Sequence, residues 1–115
     1  MERKEKSVKK VLPFSREAEK SLLGILLLQE SAWDKVELQL LATDFYDIKN
    51  QNIFRAIEQM HVKQQSVDIL TVVEYLQNQQ VIEQSGSDTY IYGLQRRLLL
   101  RASTKLLLLL VQSIL

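Results

Sequence analysis

Apolar residues recur at helical spacing along most of the chain, and the strict alternation that marks a half-buried strand is nowhere sustained. Ala18, Leu22, Ile25 and Leu26 stand at i, i+4, i+7 and i+8, with Leu23 and Leu27 widening the stripe. The pattern predicts a first helix opening at Pro13 and Ser15, with Ser15 as N-cap and Glu17 and Glu19 in the first turn, where the helix dipole favours acids. Gly24 interrupts this helix at a cost of roughly 1 kcal/mol against alanine, and such a glycine marks close approach of another helix. Ser31 and Asp34 resemble a helix start, so a second helix is expected from Trp33 to about Leu41, burying Trp33, Val36 and Leu40. Residues 43–47 read as a turn, with Phe45 plugging the core and Asp44 free to cap the next helix. A third helix, Lys49 to Lys63, presents Ile53, Phe54, Ile57 and Met60 on one face. Asp68 is the expected N-cap of a fourth, which carries Ile69, Val72, Val73 and Leu76. Ser85-Gly86-Ser87-Asp88 is the clearest loop, and Tyr90, Ile91 and Leu94 begin a fifth helical segment.

This all-α reading agrees with only three glycines and one proline in 115 residues, a length suited to one domain with a modest core. With no cysteine, a disulfide framework and a thiolate metal site are both excluded. Charge is uneven: residues 1–10 carry +3 and residues 96–115 carry +4, so the total of +1 leaves −6 for the residues between. An acidic body argues against a primary nucleic-acid surface, which needs clustered lysine and arginine; a nucleic-acid module using the basic ends is the weaker reading. Residues 1–11 are expected to be a disordered basic arm, lacking the apolar run of a signal peptide. Residues 98–115, LLLRASTKLLLLLVQSIL, are leucine-heavy yet contain Arg101 and Lys105, and fall short of a membrane span. A helix that packs on a second chain, giving weak self-association, is expected there.

Catalytic chemistry is not suggested. His61 is the single histidine and is expected on a helix surface, which all but excludes a histidine metal site or a histidine-based triad. The carboxylate pairs Glu17/Glu19 and Asp44/Asp47 are explained as helix caps. No G-x-x-x-x-G-K-[ST] sequence is present, so this chain has no phosphate-binding P-loop of its own. The aromatics are not interleaved with basic residues as a single-strand stacking platform requires. Phe45 and Phe54 are assigned to the core, and Tyr46, Tyr90 and Tyr92 to positions where a hydroxyl can reach a protein interface.

Five short blocks then fall in order. Pro13, Ser15, Glu17-Ala18-Glu19, Leu22-Leu23-Gly24 and Leu27 form the first, and Trp33-Asp34 with Val36 the second. Asp44-Phe45-Tyr46 and Ile53-Phe54 form the third, in a pattern that runs D-F-Y-x-x-x-[HN]-x-x-[IL]-F. Val67-Asp68, Leu70-Thr71-Val72 and Leu76 form the fourth; Gly86, Tyr90-Ile91 and Leu94 form the fifth. In this order and spacing, over about residues 12–94, the chain resembles the N-terminal domain of the DnaB-type replicative DNA helicase family.

The resemblance implies a compact all-α head over residues 12–97, followed by a helical hairpin through which such domains dimerise within a hexameric collar. It also implies docking of the primase C-terminal domain. The parent would be an ATP-dependent helicase acting on DNA at the replication fork, using ATP and magnesium outside this chain, in a bacterial-type cytoplasm or, alternatively, a plastid. Within these residues the expectation is no catalytic, cofactor-binding or metal-binding residue and no membrane contact. Asp68 and Tyr90 match motif positions that could face a partner. Two departures stand out: Ser87 replaces the second glycine of the family's Gly-Gly pair, and Arg96-Arg97 with the leucine run replaces the usual polar loop, so residues 98–115 would be an atypical or truncated hairpin. The alternative reading is a non-enzymatic helical adaptor such as a primase-type helicase-binding domain.

Overall fold

A computed structural model describes residues 15–101, with side chains through residue 98; the basic arm and most of the leucine-rich segment lie outside these residues. Five α-helices and no strand occur among the described residues: α1 (Arg16–Leu28), α2 (Trp33–Glu37), α3 (Ile48–Val62), α4 (Ile69–Asn78) and α5 (Ser87–Arg101). Single 3-10 turns at Glu30–Ala32, Ala42–Asp44 and Glu83–Ser85 join them. The fold is all-α, as the spacing predicts.

The start of α1 follows from Ser15, whose hydroxyl accepts a hydrogen bond from the Ala18 N–H at 3.0 Å. Leu26 of the expected stripe and its flanking Leu23 and Leu27 are buried together with Glu19, while Ala18 and Leu22 are half-buried and Ile25 is exposed, so the buried face is rotated by about one residue. The rotation turns Gly24 toward α5, where a Cβ would stand 3.0 Å from the Leu94 carbonyl oxygen and 3.4 Å from Leu98 Cβ. The glycine therefore permits the close approach that its cost in helix propensity implies.

The second helix is shorter than expected. Residues Glu30–Ala32 form a 3-10 turn, α2 ends at Glu37, and neither Ser31 nor any other side chain caps it. Trp33 is buried nonetheless, packed on Phe54 at 5.3 Å between ring centroids and stacked on His61 at 4.9 Å with the planes 5° apart. His61 is thus half-buried against an indole, not simply on a helix surface, and its Nε2 is buried with no hydrogen-bond partner among the described residues.

Helix α3 carries the centre of the core. Ile53, Phe54 and Ile57 are fully buried, Met60 nearly so, and Phe45 packs on Phe54 at 4.9 Å. From α4, Val72, Val73 and Leu76 cover this face, and from α5, Ile91 and Leu94 complete it. Asp44 does not cap α3. Its carboxylate reaches back to the Leu41 N–H at 2.8 Å, and Asp47 takes the capping role by accepting from the Lys49 N–H at 2.9 Å.

Candidate functional site

The chemistry-bearing side chains meet at a polar junction between α1, the 45–47 turn, α3 and α5. Glu19 is 0% exposed, which an unpaired carboxylate could not sustain. It is satisfied from three directions. The Tyr46 N–H donates to Oε2, the Asp47 N–H donates to Oε1 at 3.4 Å, and the Asn50 side-chain amide donates to Oε1 at 2.8 Å. With its N–H₂ turned to Glu19, Asn50 has its Oδ1 free to accept from the Tyr90 hydroxyl at 2.6 Å. Asn50 is itself fully buried.

Burial first, and then the neighbouring Asp47 carboxylate, push the Tyr90 hydroxyl up to about 12; Glu19 adds to the rise, while the charge of Arg16 opposes it. The phenol therefore stays a proton donor across the physiological range. Above the ring, the Lys49 ammonium lies 4.6 Å from the centroid and that of Lys20 lies 6.0 Å away. Tyr90 is placed there by the turn before α5, where Gly86 is left-handed at φ 91° and a Cβ at that position would collide with the Tyr90 ring.

Of the two partner-facing candidates, Tyr90 is in this junction and Asp68 is not. Asp68 is exposed and caps α4: its carboxylate accepts from the Thr71 N–H at 2.9 Å while Thr71 Oγ1 accepts from the Asp68 N–H at 2.9 Å. Glu17 forms an ion pair with Arg97, tying the first turn of α1 to α5. The motif pattern gives Glu19 no junction role and holds Asn50 only as the [HN] position of the third block, with no role attached. Glu19 stands in helical register with Leu23 and Leu26, and Asn50 with Phe54 and Ile57, so both are recognisable as polar residues heading an apolar stripe.

The carboxylate of Glu19 is held by three N–H donors. Among the described residues no group of three or more histidine, aspartate or glutamate side chains could hold a metal ion. Two surface hollows, of about 250 Å³ and 240 Å³, flank Tyr75 between α3 and α4, and their mixed linings include the amide side chains of Gln65, Asn78, Gln59 and Gln79. No described helix is long and apolar enough to cross a membrane.

The sequence model of the DnaB-like helicase N terminal domain matches residues 11–111, nearly the whole chain. The chain belongs to the DnaB-like helicase N-terminal domain family. It is similar to the replicative DNA helicase DnaB of Treponema pallidum, 34% identical over 85 residues, covering 74% of this chain and 19% of that protein. The corresponding protein of Buchnera aphidicola (subsp. Baizongia pistaciae) is 33% identical over 85 residues, covering 74% of this chain and 18% of the relative. That of Rhodothermus marinus is 35% identical over 88 residues, covering 76% of this chain and 9% of the relative. The chain thus spans less than a fifth of the length of these curated relatives. Within the DnaB-like N-terminal domain, the family blocks gain a physical meaning. Glu19 of the first, Tyr46 and the Asn50 position of the third, and Tyr90 of the fifth are the residues that close the buried junction.

Proposed function

We propose that this chain is the assembly and primase-docking head of a hexameric replicative DNA helicase whose ATP-driven motor lies outside these residues. The observation that carries this reading is the family match over residues 11–111, in which the family's own motif side chains are engaged in internal hydrogen bonds. Residues used in this way support a scaffold, and what the scaffold presents outward is a surface for other proteins. Leu38, Tyr46, Ile48, Val62, Leu70 and Tyr92 are all exposed on it. Asp68, open at the start of α4, and Tyr90, half-exposed at the junction, are contact positions in this reading. Residues 98–115 supply self-association, as the hairpin does in the family. ATP and magnesium serve the motor of the parent protein; no P-loop occurs in this chain and no metal cluster among its described residues, so no catalytic step is assigned to them. DNA is engaged by the parent, in a bacterial-type cytoplasm.

The test is a calorimetric titration of the purified chain with the C-terminal domain of a bacterial primase, alongside sedimentation equilibrium over a concentration series. Saturable primase binding and a mass that rises with concentration are expected. A chain that stays monomeric and binds an intact replicative helicase but not primase would instead assign it to the adaptor class. A gene product carrying G-x-x-x-x-G-K-[ST] beyond this segment would place the head on a helicase.

A further inference from the structure

The acids and bases around Tyr90 differ in how far they are already engaged. Glu19 is fully buried and saturated, and Asp47 is turned to its own helix start, where it accepts from Lys49 N–H at 2.9 Å. The cations are more open: Lys49 and Lys20 lie over the Tyr90 ring at 4.6 and 6.0 Å, and Arg16, exposed to solvent, acts on the same hydroxyl. Tyr46 and Ile48, on either side of Asp47 in the chain, are 78% and 61% exposed. The Tyr46 N–H bonds Glu19, the chain neighbour of Lys20, and Ile48 precedes Lys49, so exposed apolar and cationic residues share this junction.

We propose that Arg16, Lys20, Tyr46, Ile48, Lys49 and Tyr90 form a docking site for an acidic, apolar segment of a partner protein. The proposal deepens the docking reading above and rests on it only for there being a partner. Charge selects the occupant: carboxylates of the incoming segment meet the ammonium and guanidinium groups, while its aliphatic or aromatic residues cover Tyr46 and Ile48. A protein segment fits better than a single-stranded nucleic acid. The Tyr90 ring is already engaged by two ammonium groups, leaving Tyr46 as the ring of this group open to a base, and Ile48 offers nothing that a base can stack on.

Fluorescence anisotropy with the whole chain and three labelled probes tests this: a short peptide alternating Glu with Leu and Phe, its Lys-for-Glu counterpart, and oligothymidylate. The acidic peptide is expected to bind, with affinity that falls as salt rises, and the basic peptide is not. The double substitution Lys20→Glu/Lys49→Glu should weaken binding by more than about tenfold, and Tyr46→Ser/Ile48→Ser by about tenfold. Thermal melting followed by circular dichroism shows whether each variant folds. Should the charge reversal unfold the chain, the serine pair, which alters only exposed side chains, decides alone. Absence of acidic-peptide binding, equal binding by the folded variants, or tighter binding of oligothymidylate overturns the proposal. Primase binding that is unchanged in these variants would keep the docking reading and overturn this site.

Discussion

Helices α1 and α3 each bury one stripe, and each stripe changes character along its length. On α3, Ile53, Phe54, Ile57 and Met60 are an apolar face closed by Phe45, Trp33 and the α4 residues, while Asn50, one turn earlier on the same line, is polar and equally buried. On α1, Leu23, Leu26 and Leu27 are apolar, while Glu19, one turn earlier, is a buried carboxylate. The two polar heads meet each other and Tyr90. The apolar halves are interchangeable in kind, since any well-shaped hydrocarbon gains the same transfer free energy. The polar halves are not: each donor there has one acceptor, and removing one leaves the others buried and unpaired. One half supplies most of the stability, and the other fixes how α1, α3 and α5 are set against one another.

The largest effect is expected in the apolar half. Phe54→Ala should cost roughly 3–5 kcal/mol in urea denaturation, because a fully buried ring is replaced by a cavity. A loss below about 1 kcal/mol would mean that this face relaxes around the deletion and is not the rigid member of the pair.

In the polar half, Glu19→Ala should cost roughly 2–4 kcal/mol, as three N–H donors lose their acceptor. The comparison is sharpened by a double-mutant cycle with Asn50→Ala. Coupling above about 0.5 kcal/mol is expected for groups that share one network, and additivity would show that the two polar heads are neighbours without being partners.

The two halves also differ in how visible they are in the sequence. Phe54, Ile57, Val72 and Leu76 lie on unbroken 3.6-residue stripes, and periodicity alone places them in the core. Glu19 lies on such a stripe too, but an acid in the first turn of a helix has an adequate explanation in the dipole, and spacing does not reveal that its carboxylate turns inward. What decides it is the Tyr46 and Asp47 N–H groups, which are 27 and 28 residues away in the chain and leave no local trace. Asp44 is obscured in the same way. It precedes α3 at a plausible capping distance, Asp47 stands closer, and only the course of the turn shows which of the two caps the helix. Spacing places the start of α2 at Trp33 correctly, although no side chain caps it, and overestimates its length at the far end, where the Leu41 N–H turns to the Asp44 carboxylate instead of extending the helix. Gly24 is legible because its only benefit, room for α5, comes at a cost in helix propensity.

Tyr90→Phe removes one hydroxyl from the polar half while keeping the ring, and should cost about 1 kcal/mol. It also carries a pH signature. The folded-state pKa is raised to about 12 from an unfolded value of 10.0, so the unfolded chain releases the proton first. The contribution is therefore fully present below pH 10 and is lost as pH rises through 12. Wild type should lose stability more steeply than Tyr90→Phe across that window in denaturation curves, with lysine titration common to both. Parallel curves would show that the hydroxyl is not buried beside the Asp47 carboxylate in the folded chain and that the polar half ends at α3.

The smallest effect has the opposite sign and concerns the turn that delivers Tyr90. Gly86 and Ser87 are both left-handed, at φ 91° and 71°. The first position is closed to any side chain, since a Cβ there would lie 2.6 Å from Tyr90 Cδ2, whereas the second carries serine at the place where the family pattern has its second glycine. Serine in this conformation costs on the order of 1 kcal/mol, offset in part by its lower entropy in the unfolded chain. The backbone bonds that hold the turn, Gly86 N–H to the Glu83 carbonyl at 3.1 Å and Ser87 N–H to the Ile82 carbonyl at 2.9 Å, do not depend on the serine side chain. Ser87→Gly should therefore stabilise the fold by about 0.5–1 kcal/mol, raising the melting temperature by a few degrees. Gly86→Ala should lower it, by driving Tyr90 off Asn50. If both substitutions lowered the melting temperature, the serine would be serving the polar half in its own right; opposite signs would confine that half to Glu19, Asn50 and Tyr90, with the turn acting only as their hinge point.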